Sequence, residues 1–437
     1  MPTAADVRTP TTRDELAKGV LDAGPRGVIA RGLGRAYGDA AQNAGGVVVD
    51  ATGASDEAFP DPGDGGIVTV LAGTSLEALM QAYVPRGFFL PVSPGTRFVT
   101  VGGAVASDVH GKNHHSDGSF INHVRSMRLA LPDGSVVEVT PSDPLFWATG
   151  GGMGLTGVVV DATIVLRRIE SSAVAVDTDR VPDLDAALAL MSEGDAGYHY
   201  SAAWIDLMAT GRHMGRCVLY RGDFAPRDAL PAKRRADPYA FSMHTLATAP
   251  PSPPGLLNHL SLRLFNECIF RSAPRQRRGE LQTITRFFHP LDIVNQWNRL
   301  YGPSGFIQWQ PVVPFGAEST VQHIVEALST SGTASFLSVL KRFGPGNSGH
   351  LSFPMPGWTL SLDLPVSHGP ALGELLDELD DKVAEVGGRV YFAKDSRMRP
   401  DLVPVMYPRL EEWRAVCASV DPDGVMQSDL NRRLHLR

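Results

Sequence analysis

The sequence predicts a two-domain α+β protein, and three observations carry that expectation. Its 437 residues are 43% hydrophobic and 20% charged, a soluble globular composition at a length that suits two large domains. Up to about residue 170, short apolar runs alternate with glycine-rich turns. From about Ser171 the texture changes to alternating strand patterns separated by helical stretches, as in an antiparallel sheet covered by helices.

Along the first part, GVIARG, GGVVVDATG, IVTVLAG and FFLPVSPG each read as a strand closed by a turn. TSLEALMQAYVPRG fits an amphipathic helix with Thr74 or Ser75 as N-cap and Gly87 just past its end. VRSMRLALPDGSVVEVT is a hairpin turned at Pro132-Asp133-Gly134. Gly154 to Arg168 is one long strand signal. In the second part, YHYSAAWIDLM and GFIQWQPVVP alternate, and ESTVQHIVEALSTSG and GPALGELLDELDDKVAEVGG are helical. Between Pro226 and Pro254 lie seven prolines and the basic triplet Lys233, Arg234 and Arg235, which reads as a mobile loop or lid.

Several classes of function are excluded. A net charge of −7 argues against a nucleic-acid binder, which shows a basic face. Cys217, Cys268 and Cys417 are too scattered for a disulfide framework or a zinc site. No run approaches the roughly 18 apolar residues of a membrane span, and the N-terminus lacks a signal-peptide pattern. The expected location is therefore cytoplasmic or membrane-peripheral. The 45 glycines and 33 prolines follow no period, which excludes collagen and leaves a backbone rich in special turns.

The glycines concentrate in three clusters: GLGRAYGD (Gly32 to Asp39), PGTRFVTVGGAVASDVHGKNHH (Pro94 to His115) and GGGMGLTG (Gly150 to Gly157). Such density lets backbone N–H groups approach a bulky anion, with a pyrophosphate as the natural guest. The first cluster suggests a dinucleotide fingerprint, but DAAQNAGGVVVD after it is too short for a Rossmann crossover helix. Tight turns explain any one cluster; three together point to a large nucleotide cofactor other than a Rossmann-bound NAD.

These clusters, in this order, resemble the FAD-binding domain of the vanillyl-alcohol-oxidase-type flavoproteins. Within that superfamily the sequence is similar to the decaprenylphosphoryl-β-D-ribose 2′-oxidase family, through HGKNHHSDGSF, WNRLYGPSGF, LSFPMPGW, GGRVYFAKDSR and SDLNRRL. The resemblance covers nearly the whole chain. It implies an FAD-binding domain over residues 1–170, to which 390–437 return, and a substrate-binding domain with an antiparallel sheet over 171–389. It also implies non-covalent FAD, because Tyr37 stands where relatives with a covalent flavin often carry histidine.

By the same resemblance, Gly32, Leu33, Gly34, Arg35, Ala36, Tyr37 and Gly38 wrap the pyrophosphate. Gly95, Thr100, Val101, Gly102, Gly103, Ser107, Asp108, Val109 and His110 surround the flavin and ribityl chain. Val159 meets the adenine portion, and Tyr391 approaches the isoalloxazine. Lys394 matches a lysine beside the flavin and the substrate hydroxyl, and desolvation lowers such a pKa; from the residues alone, a salt bridge to Asp395 is the competing reading. His110 is the second catalytic candidate. Lys112, Gln308, Gln310, Lys341 and Ser361 are candidates for the substrate. The two glutamines share one strand face, suited to sugar hydroxyls or a phosphate, or else to solvent. Lys341 suits a phosphate oxygen. Trp358 and Phe353 suit a lipid channel or the core. His110, His114 and His115, in a glycine-containing loop with no carboxylate pair, make a poor metal set, and no metal is expected.

Two departures from the family stand out. Ser361 replaces a cysteine that nitroaromatic inhibitors attack in some members, which implies loss of covalent trapping. Phe288 replaces a common aromatic hydroxyl. The implied reaction is oxidation of the C2′ hydroxyl of decaprenylphosphoryl-β-D-ribose to the 2′-keto sugar. An NAD(P)H-dependent keto-reductase partner would then complete epimerisation to the arabinose donor of cell-wall arabinan. A peripheral membrane contact, at the periplasmic face by resemblance, suits such a lipid. The competing readings are an FAD-dependent oxidase of soluble alditols or aldonolactones, and a catalytically silent flavin-fold binding module.

Overall fold

Three hydrophobic sheets organise the chain, and the strands in each follow from its apolar runs. The computed structural model describes residues 3–21, 23–243, 245–250, 259–332, 335, 337–366 and 370–437. A parallel three-stranded sheet places Val47–Asp50 between Asp6–Arg8 and Val28–Arg31. An antiparallel four-stranded sheet runs in the order Ile67–Leu71, Val158–Val165, Val124–Ala130, Val136–Val139. The third sheet has nine strands, all paired antiparallel. Its centre is Tyr200–Ile205, Ser338–Phe343 and Gly357–Pro365, flanked by Cys217–Phe224 on one side and Pro311–Pro314 on the other.

Helices Leu184–Gly194, Glu318–Thr330 and Pro370–Glu385 bury their apolar stripes against this large sheet. Leu188, Ile324, Leu328, Leu376 and Val383 share one core with Ala203, Leu219, Leu340 and Leu360. Asp183 caps the first of these helices by accepting from the Ala186 N–H at 2.9 Å, which satisfies one of the free donors at its start.

Three local expectations are refined. The predicted strand through GFIQWQPVVP is broken at Gln310 into Phe306–Trp309 and Pro311–Pro314, because Pro311 has no N–H to continue a ladder. The signal from Gly154 begins as strand only at Val158, since Gly154 (φ 78°) and Gly157 (φ 141°) hold a turn open to glycine alone. Ser75, rather than Thr74, caps the helix Leu76–Tyr83. In the proline-rich stretch, helix Ala232–Arg235 carries the basic triplet and Ala247–Thr248 pairs with Val294–Asn295. Pro251, Pro253 and Pro254 lie outside the described residues.

The C-terminal stretch leaves the large sheet after Arg389–Val390 and reaches the first sheet. Val28 and Gln427 exchange backbone bonds with Val425 and Val28 at 2.9 Å each, and Arg433 forks onto Asp39 at 2.8 and 2.9 Å. Trp413, fully buried, donates its indole N–H to the Ala148 carbonyl at 3.0 Å. Trp413→Ala is expected to cost about 3–5 kcal/mol of stability, the range for deleting a buried aromatic, read as a lowered denaturant midpoint. A loss below about 1 kcal/mol would mean that this return does not hold the domain.

Candidate active site

One cavity of about 420 Å³ is lined from all three sheets. Ala30, Ala51, Ala72, Gly157 and Val159 give it a wall of small groups, and the Gly32–Tyr37 loop and Thr100, Gly102 and Gly103 form further parts. At Gly95 an added Cβ would meet nothing within 4 Å, so a side chain there would stand in the cavity itself. Gly34 has φ 62° and similar open space. Bare backbone at these two points fits the extended, anionic body of FAD, which needs amides without Cβ interference.

Most of the sequence-predicted residues border this cavity: Gly32 to Tyr37, Gly95, Thr100, Gly102, Gly103, Ser107, Val109, His110, Val159, Tyr391, Lys394, Lys112, Gln308, Gln310, Lys341 and Ser361. Gly38, Val101 and Asp108 are not among the residues that line it. Gly38 packs on the Asp395 carbonyl, where a Cβ would clash at 1.8 Å. Val101 is core, fully buried. Asp108 is a buried carboxylate at φ 41° that accepts from Ser119, Ser352, Asn347 and the Ile121 N–H. Trp358 and Phe353 are likewise core rather than channel: Trp358 donates to Glu318 at 3.0 Å, and Phe353 stacks on Tyr391 at 4.6 Å.

His110, two residues after Asp108, packs against Phe343 at 4.7 Å and Tyr391 at 5.5 Å. The Tyr391 hydroxyl donates to the Ser107 carbonyl at 2.7 Å, which pins the loop from its other side. His114 accepts from the Gly344 N–H, and His115 bonds the Tyr198 carbonyl, so the three histidines face three different partners. Lys112 donates to the Phe287 carbonyl and lies 4.4 Å above the Phe287 ring. Burial pushes its ammonium down to about 8.

Lys394 sits in the turn after Arg389–Val390, its Nζ 4.1 Å above the Tyr37 ring. Asp395 is not its partner, since that carboxylate pairs with Arg433 at 2.8 Å. The charge facing Lys394 is Asp363. Burial lowers the Lys394 pKa and Asp363 opposes the fall, while burial raises Asp363. Gln308, directly across the strand pair from Asp363, donates to its carboxylate, and the Tyr301 hydroxyl approaches it at 3.5 Å.

Asp363, Tyr301 and Thr359 were not singled out from the sequence. Asp363 had a signal, because it lies two residues from Ser361 in LSLDLP and so shares its strand face. Nothing local marked Tyr301 or Thr359. The paired amides of Gln308 and Gln310 are buried, at 6% and 1% exposure, and border the cavity, so they do not form a solvent-turned face.

A glycine-lined cavity spanning two domains, with buried lysines at its polar wall, defines an FAD-dependent oxidoreductase. A family model described as an FAD binding domain matches residues 4–140. Over 443 aligned residues the chain is 46% identical to the decaprenylphosphoryl-beta-D-ribose oxidase of Mycolicibacterium smegmatis, covering 100% of this chain and 95% of that protein. It is 41% identical to an uncharacterized protein in the mprA 5′ region of Streptomyces coelicolor, over 83% of this chain and 100% of the relative. An alditol oxidase from a Streptomyces species is 28% identical over 38% of this chain and 39% of its own. The chain belongs to the decaprenylphosphoryl-β-D-ribose oxidase family.

Gly95→Leu is expected to keep the fold, since its side chain enters open space, yet to purify without flavin. The ratio of flavin to protein absorbance reads this directly. Wild-type flavin content would show that Gly95 does not face the cofactor.

Proposed function

We propose that this protein oxidises the C2′ hydroxyl of decaprenylphosphoryl-β-D-ribose to the 2′-keto sugar. The observation that carries this reading is the chemistry of one cavity wall. Lys112, Lys341 and Lys394 border it beside the inward amides Gln308 and Gln310, a set suited to an anionic, polyhydroxylated guest. The full-length similarity to an oxidase named for this substrate supports the same reading.

Bound FAD supplies the hydride acceptor. Gly32 to Tyr37, Gly95, Gly102, Gly103 and Val159 would hold it, with Tyr391 and His110 at the same cavity. Lys394, kept cationic by Asp363 and the Tyr37 face, orients the carbinol oxygen and stabilises negative charge that develops there. Gln308 and Gln310 read ring hydroxyls, and Lys112 faces the phosphate side.

The keto sugar is then reduced by a separate NAD(P)H-dependent partner, completing epimerisation for arabinan synthesis. A peripheral membrane contact presents the polyprenyl substrate. Among the described residues, no helix is long and apolar enough to cross a membrane.

Anaerobic mixing with decaprenylphosphoryl ribose is expected to bleach the flavin, and Lys394→Ala to slow bleaching by about 10²–10³-fold, as for removal of one aimed donor. Bleaching by free ribose or an alditol as fast as by the lipid-linked sugar would overturn the substrate assignment, and an unaffected Lys394→Ala variant would overturn the role of Lys394. Nitroaromatic inhibitors of the family are expected to leave no mass adduct, because a serine hydroxyl lacks thiolate nucleophilicity. Ser361→Cys is expected to gain one.

A further inference from the structure

Oxidation of a carbinol releases the hydroxyl proton as well as a hydride, and hydrogen-bond directions around His110 point to its acceptor. The chain of bonds begins at a fixed acceptor. The Thr359 hydroxyl gives its only hydrogen to the Pro311 carbonyl at 2.9 Å, so toward Gln310 Nε2, 3.2 Å away, it can only accept. Reversing the Gln310 amide would set its oxygen against a hydroxyl whose hydrogen is already committed. The same amide nitrogen lies 2.9 Å from His110 Nε2, which must therefore be the ring's bare nitrogen.

His110 is neutral: burial pushes its pKa well below the ordinary histidine value, and Lys394 adds to the fall. A neutral ring with a bare Nε2 carries its hydrogen on Nδ1. That nitrogen lies 3.3 Å from Lys341 Nζ. An ammonium has three hydrogens and no lone pair, so it cannot receive this one; a neutral amine can.

The electrostatic surroundings agree. Lys394 has Asp363 and the Tyr37 ring to hold its charge. Lys341 is faced by Lys394 and Lys112 and by neutral His110 and His114, and burial with those two cations pushes it down to about 7. Of these lysines, Lys394 has Asp363 to favour its cation, whereas Lys341 has only other cations and neutral rings to favour its amine.

We propose that Lys341 rests as a neutral amine, held so by the Thr359–Gln310–His110 hydrogen-bond chain, and takes the proton of the substrate hydroxyl. This deepens the oxidase reading above and rests on it. In the step, the carbinol C–H bond breaks and its electron pair leaves as hydride to the bound FAD. The O–H bond breaks, its pair becomes the second C–O bond of the ketone, and the proton forms an N–H bond on Lys341, now an ammonium. Lys341 is then the proton acceptor, Lys394 the cation that orients the oxygen, and His110, Gln310 and Thr359 positioning residues.

The state of Lys341 is tested without substrate, in holoenzyme carrying ¹⁵N-labelled histidine. The His110 ring signals are identified by their loss in His110→Gln. At pH 8 the expected pattern is a protonated Nδ1 and a bare Nε2; a protonated Nε2, or an imidazolium, overturns the proposal. The step itself is read from anaerobic flavin reduction. The wild-type rate should rise with pH through about 7 and level off, as a base is freed of its proton. Lys341→Arg keeps a cation that cannot give up its proton at these pH values. It is expected to lose about 10²–10⁴-fold in reduction rate, with substrate affinity and flavin content nearly kept and the pH rise abolished. A wild-type rate in this variant overturns the assignment. If decaprenylphosphoryl ribose fails to bleach wild-type flavin, the substrate reading falls; the pH and variant series is then run with free ribose or an alditol, whichever bleaches it.

Discussion

The site depends on one buried carboxylate. Asp108 lies in the left-handed region at φ 41°, where a short polar side chain is among the few that fit. It accepts from nearby Ser119 and the Ile121 N–H and from Asn347 and Ser352, more than 230 residues away in sequence. Burial works against its charge and raises its pKa, while these donors work for it. Hydrogen bonds to a charged group contribute about 1.5–3 kcal/mol each, and these four donors oppose the desolvation that raises its pKa. These bonds tie the loop that carries His110 to the segment holding Asn347 and Ser352.

From that anchor the cavity gains its character. His110 leans on Phe343 and Tyr391, and the large sheet brings Gln310, Lys341 and Ser361 to the same space. Lysines outnumber nearby carboxylates there, and the low dielectric makes each remaining charge count. Such a wall favours anionic guests, and it separates two lysines of identical chemistry into different protonation states through their neighbours.

Much of the fold was legible locally. The apolar runs around Val47, Val68, Val158 and Tyr200 became strands, and Asp183 and Ser75 cap helices as their residue types favour. The glycine clusters were legible as a cofactor region because a backbone free of Cβ groups has few other uses at such density. Less legible were effects that couple distant residues. Gly38 belongs to a cofactor-like motif and packs on Asp395, and Asp108 lies in a second such motif and accepts from Asn347 and Ser352. Their roles are set by partners far away in sequence.

By itself the sequence determined the two-domain α+β class, the glycine loops and the family, because turn chemistry, period and ordered motifs are local properties. Tertiary structure decided which lysine faces Asp363, which way the hydrogen bonds run from Pro311 to Lys341, and that Asp395 serves Arg433 instead of Lys394. Charge states and hydrogen-bond directions depend on what surrounds a group in three dimensions, and those surroundings come from segments 200 or more residues apart.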